Sequence, residues 1–250
     1  MPPHENENIL TDPSQEEKNL EVLGKSELGV FLERAYLDAV NLDPRLSEID
    51  IVPMSEGESL VAACIPAWAS ETGRHTVRLR LGLDDALASH QEVLDKVPGA
   101  RELFAAKMGL QPDEVSAPAL HVFSMLHEMG HITEFMDYDG NPDELKSRQR
   151  REKQALPIGN GAVSAMMTEG TNAHRFILDN WDAIQLKYGV ASIGELLTLQ
   201  HEAHRNMTSE RIADNFAADV FVVDPSLKDS LIQPDVVSGY RNYNSVNGTP

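Results

Sequence analysis

Apolar positions recur along this chain in two rhythms. Between residues 49 and 83 they come in short extended bursts, over 49–53, 60–66 and 75–83. In the third burst Val77, Leu79 and Leu81 alternate with Arg78 and Arg80, the period of two of a strand with one wet face. The two arginines read first as that solvated face and second as substrate contacts. Elsewhere the spacing is helical. Leu28, Phe31, Leu32, Ala35, Tyr36 and Ala39 form the stripe of a helix over 26–41, with Ser26 as cap and Pro44 as stop. From Asp84 onward the pattern predicts helices over 84–97, 98–108, 117–138, 162–188, 192–207 and 209–223. Residues 139–161 are mixed: a turn at Asp139-Gly140-Asn141-Pro142, an exposed basic run over 146–153, and a break at Gly159-Asn160-Gly161. Beyond Pro225 the signal fades. The polar residues 1–25 and 238–250 read as flexible tails around one domain, 26–237. The order is α+β: a small N-terminal β-sheet followed by a helical lobe.

The longest apolar helix carries His127-Glu128-Met129-Gly130-His131, an H-E-x-x-H pattern. Residues four apart leave an α-helix from one face, one turn apart, so both imidazoles can share one zinc ion. Glu128 stands beside them. There it can take a proton from a metal-activated water and pass it to a leaving amine. Short patterns also arise by accident, and a pair of histidines can be satisfied in a core. Here Leu120, Phe123, Leu126 and Ile132 surround the motif at helical spacing, so the helix is buried, and burying these groups without a partner is costly. A metal relieves that cost.

A catalytic zinc takes three protein ligands. Glu210 ranks first for the third. It lies four residues before Asp214 on an otherwise apolar helix, so two acids share one packed face and need cations. Zinc can serve Glu210, and Asp214 can accept the N–H of a ligand histidine and fix its tautomer. Glu169 is the next candidate. Asp137 lies ten residues after His127, but its spacing needs a helix-breaking glycine where Glu134 stands. His201 and His204, three apart, are either a helper near the metal or surface residues.

Composition narrows the class. The net charge of −19, from 21 basic and 40 acidic residues, argues against a nucleic-acid-binding surface. No apolar run has membrane-spanning length, so no membrane partner is expected. Cys64 is the only cysteine, so no intrachain disulfide forms, and no secretory leader opens the chain. These features suit a cytoplasmic protein.

The H-E-x-x-H helix followed by Glu210-Arg211-Ile212-Ala213-Asp214 resembles the gluzincin group of zinc metallopeptidases. The stretch from His204 to Ala217 is similar to the second motif of the minigluzincins and, more loosely, of ImmA/IrrE-type peptidases. The resemblance implies a zincin-like fold. It implies one Zn2+ per chain on His127, His131 and Glu210, with Glu128 as general base and acid. It also implies a peptide or protein substrate paired with an edge strand, here 75–83, and a donor for the oxyanion, here His204. The 79 residues from His131 to Glu210 (210 − 131) imply an inserted helical pair. Two functions follow: a zinc metallopeptidase, or a catalytically silent or self-inhibited zincin-fold protein that binds peptides, with a tail around Tyr240 or Tyr243 in its cleft.

Overall fold

The computed structural model describes residues 13–55, 58, 60–96, 99–157 and 170–232. Three strands form one mixed sheet: β1 (Asp50–Pro53), β2 (Ala62–Ile65) and β3 (Thr76–Leu79). Their order is β1-β3-β2. β3 runs parallel to β1, with Ile51 opposite Val77, and antiparallel to β2, with Cys64 opposite Val77. The 75–83 stretch is therefore the central strand, and its expected place at the edge is corrected. Alternation reports which face a residue takes; it carries no information on which strands lie alongside. The edge beside the helical lobe is β2. Of the two arginines, Arg78 pairs with Glu58 at 2.5 Å and Arg80 reaches the Glu58 carbonyl, so both are engaged within the sheet region.

Eleven helices are described. α1 (Gln15–Leu23) and α2 (Gly29–Leu42) precede the sheet; α3 (Leu83–Lys96), α4 (Ala100–Met108) and α5 (Ala117–Asp137) follow it. Then come α6 (Pro142–Gln154), α7 (Asn172–Asp179), α8 (Trp181–Tyr188), α9 (Ile193–Arg205), α10 (Thr208–Val223) and α11 (Pro225–Leu231). The architecture is α+β and mostly helical.

α5 is the axis. Ser116 caps it by accepting the Ala119 N–H at 3.1 Å, with Pro118 in the first turn. Val122, Met125, Leu126, Met129 and Ile132 are fully buried, because the sheet, α2, α3 and α10 all pack around it. Ile177, Ile184, Leu196 and Leu197 form a second, smaller core among α7, α8 and α9.

Several local expectations change. The 1–25 tail is corrected over 15–23, where α1 forms. Ser14 and Glu17 make a reciprocal capping box, and buried Asn19 ties α1 to the Tyr36 hydroxyl and the Ile49 carbonyl. The basic run over 146–153 is the body of α6, and its Arg148 turns inward to buried Glu134. The long helix expected over 162–188 is two short ones across Asn180, within the residues described. Past Pro225 the chain forms α11, capped by Asp224 with proline in its first turn. The C-terminal tail, with Tyr240 and Tyr243, lies outside the described residues. Among the described residues no helix is long and apolar enough to cross a membrane.

One buried polar contact joins α3 to α5. His90 and His121 are almost sealed from solvent, and His90 Nε2 lies 3.2 Å from His121 Nδ1. Burial, then the neighbouring ring, pushes His90 down to about 3; burial also pushes His121 down to about 4. Both are neutral in the folded protein, whereas an unfolded histidine takes up a proton near pH 6.5. Their contribution is complete above that pH and is lost as pH falls towards the folded values. His90→Leu is expected to flatten the fall in stability between pH 6 and 4.5 by up to about 1.4 kcal/mol per pH unit, measured by urea unfolding at successive pH. An unchanged slope would contradict a neutral buried pair.

Candidate metal centre

The site forms where α10 crosses α5. His127 and His131 leave one face of α5, and Glu210 leaves α10 to meet them. His127 Nε2 and His131 Nε2 are 3.2 Å apart. Glu210 Oε2 is 3.5 Å from the first and its Oε1 is 3.7 Å from the second. All three side chains are largely buried. Two donors each bound to zinc at about 2.05 Å with a tetrahedral angle would stand roughly 3.3 Å apart. The imidazole pair is at that separation, and the carboxylate is a few tenths of an ångström wider. Two neutral imidazoles and a carboxylate are also a donor set that suits zinc. The residues present therefore fit the ion.

Their orientation is fixed from behind. His127 Nδ1 lies 3.0 Å from Asp214 Oδ1, so Nδ1 carries the proton and Nε2 presents its lone pair to the centre. The other Asp214 oxygen pairs with Lys107 of α4. Burial alone would raise the Asp214 carboxyl, but His127 and Lys107 outweigh it and hold it below the usual range. Glu210 is lowered in the same way: burial opposes, and the facing histidines prevail. In the metal-free protein the carboxylates overcome burial at His127 and lift it to about 9, while burial and the His127 charge lower His131. A metal ion bound by these residues would have to displace that proton.

The close crossing has a steric origin. A Cβ on Gly130 would stand 2.6 Å from the Cα of Ala213 and 2.9 Å from its carbonyl oxygen. Both contacts are with backbone, which cannot step aside. Gly130 lies between the two histidines, and Ala213 between Glu210 and Asp214.

Glu128 lies near enough to both histidines for its charge to act on them, and its carboxylate also meets the Cys64 thiol of β2. Burial, then the negative charge of Glu128, holds that thiol well above its usual range. His204, near the end of α9, brings Nε2 to 3.9 Å from Glu210 Oε1 while remaining half exposed. Asp137 is not at the centre: it pairs with Arg45 at 2.8 Å at the exposed end of α5. Glu169 lies outside the described residues, as does the side chain of His201. Sequence reasoning missed Lys107, Cys64 and the role of Gly130. Lys107 is an ordinary lysine on a short helix until tertiary packing sets it against Asp214. Gly130 carried a signal, a helix-weakening residue inside an otherwise strong helix. The chain matches no family model, no curated protein and no solved structure.

Two variants test this construction. Gly130→Ala should push α10 from α5, lower stability by about 1–3 kcal/mol and weaken zinc binding at least about 10-fold in a chelator competition. Wild-type affinity in that variant would mean that the crossing does not set the ligand geometry. Asp214→Asn keeps the shape but weakens the hold on the imidazole and leaves Lys107 without its carboxylate; zinc affinity should fall about 10–100-fold, with a smaller accompanying loss of stability. A large loss of stability without a loss of affinity would make Asp214 a packing residue only.

Proposed function

We propose that the protein is a zinc metallopeptidase, a hydrolase that cuts peptide bonds with one Zn2+ per chain. The observation that carries this reading is the convergence of His127 Nε2, His131 Nε2 and Glu210 on one point, with Glu128 one residue along and facing a sheet edge. A merely structural ion has no use for that carboxylate. The zincin-like character proposed for the fold draws support from the same arrangement: a helix carrying both histidines under a mixed sheet, with antiparallel β2 at its rim.

Zinc, when bound, supplies the Lewis acidity that activates water and polarises the scissile carbonyl. The chain's residues do the rest. His127, His131 and Glu210 hold the ion, and Asp214 keeps His127 in the binding tautomer. The Glu128 carboxylate accepts the proton of water as the new C–O bond forms, then delivers it to the amide nitrogen as the C–N bond breaks. The half-exposed His204 imidazole is the donor proposed for the developing oxyanion. Substrate backbone is proposed to lie along the outer edge of β2 by strand addition. The proposed setting is the cytoplasm, in keeping with a single free thiol.

Glu128→Gln separates catalysis from metal binding. Peptide hydrolysis should fall by about 100-fold or more while elemental analysis still finds one zinc per chain. Turnover that survives the change would overturn the assignment. Peptide binding by wild type with no turnover at all would favour a silent peptide-binding protein instead.

A further inference from the structure

Beside the centre lies a cleft of about 230 Å3 between α4, α5, β2 and the end of α9. Ala62, Leu103, Phe104 and Phe123 line it with apolar surface, and His127, Glu128 and Asp214 line it with polar groups. The volume is below the roughly 300 Å3 at which sites for drug-sized ligands begin, so it suits one side chain. Two cations reach it, Lys107 and Arg205. The Lys107 charge is engaged by Asp214, and its ammonium also lies 5.8 Å from the centre of the Phe104 ring. Arg205 differs. It is partly buried, it follows His204 in the last turn of α9, and no carboxylate among the described residues pairs with it. Glu128 and Asp214 also line the cleft, but Asp214 is engaged by Lys107 and His127, and among the described residues no ion pair joins either acid to Arg205.

A guanidinium in such surroundings matches a carboxylate. It offers two parallel N–H donors in a rigid fork, strengthened by partial exclusion of water. The position of the cleft says which part of a substrate it meets. Glu128 hands its proton to the departing amine in the proposed reaction, and Glu128 lines the cleft, so the occupant belongs to the residue that leaves with that amine. We propose that this cleft selects a carboxylate on the residue immediately after the cut, with Arg205 as the specificity-determining residue. The carboxylate is either an aspartate or glutamate side chain or the free C-terminus of the peptide. This inference rests on the peptidase reading of the metal centre. The net charge of −19 repels acidic polypeptides at long range, so the preference is for one carboxylate in a neutral or basic sequence.

The test uses the zinc-loaded full chain and two pools of N-acetylated peptides, identical except that one ends in a free acid and the other in an amide. Cut positions are read by mass spectrometry. Enrichment of Glu or Asp over Gln or Asn after the cut, about 10-fold, in both pools identifies the side chain. Release of the last residue from the acid pool alone identifies the C-terminus. Arg205→Gln should erase the preference while Gln peptides are still cut, and Arg205→Glu should shift it towards lysine. A readout independent of turnover comes from calorimetry in the Glu128→Gln background. There the preferred peptide should bind about 10-fold tighter than its uncharged twin, and the advantage should vanish when Arg205→Gln is added. Cutting without acid preference, or a preference that survives Arg205→Gln, overturns this inference and leaves the peptidase reading standing. No hydrolysis of either pool by the zinc-loaded protein overturns both.

Discussion

The contact between Gly130 and Ala213 sets how closely α5 and α10 approach, and the metal centre is built at that point of closest approach. Helix axes normally stand 8–10 Å apart, held off by side chains. Glycine against alanine lets the two backbones approach more closely here than larger side chains would allow. The candidate ligands are a turn or less away, His127 and His131 about Gly130 and Glu210 before Ala213, with Asp214 just after it behind His127. A carboxylate as short-reaching as glutamate can then meet two imidazoles without stretching. The packing of the wider core serves this crossing: the sheet covers one side of α5, while α2 and α10 cover others.

Charge is arranged around the same crossing. Glu128, Glu210 and Asp214 bring three carboxylates within one or two turns of each other. A divalent ion at the candidate centre would neutralise two of them, and Lys107 neutralises the third through its pairing with Asp214. The closed sum matters because these groups are largely removed from water, where an uncompensated charge is costly. α4 is thereby part of the centre although it donates no ligand. It also lines the neighbouring cleft, so one short helix borders both the candidate centre and the cleft.

Much of this was legible in the sequence. His127, Glu128 and His131 stand out because the motif is local, and local spacing on a helix translates directly into geometry. Glu210 and Asp214 could be read because two acids on one face of an apolar helix demand a cation. The strands at 49–53, 60–66 and 75–83 were visible as runs, but their order was not, since pairing joins residues far apart in the chain. The buried Val77 and Leu79 say that β3 has a covered face, and do not say that it has two neighbours. The capping box at Ser14 and Glu17 and the Asp224-Pro225 start of α11 were readable signals masked by polar surroundings. Lys107 and Arg205 were beyond reading, because their significance comes from partners met, or not met, across the folded molecule.

The ligands are also far apart along the chain: 83 residues run from His127 to Glu210 (210 − 127), with α6 to α9 in between. An ion held by both ends would act as a clip on a long loop. Loop-closure entropy rises only slowly with length, so adding or removing residues between the clip points changes stability little. The intervening helices α7 to α9 have a small core of their own and are not needed to complete the main one. Over evolutionary time this insert is free to lengthen, shrink or be exchanged while the centre is preserved. Its last helix delivers His204 and Arg205, so variation in the insert would reach the surroundings of the candidate centre while leaving His127, His131 and Glu210 in place.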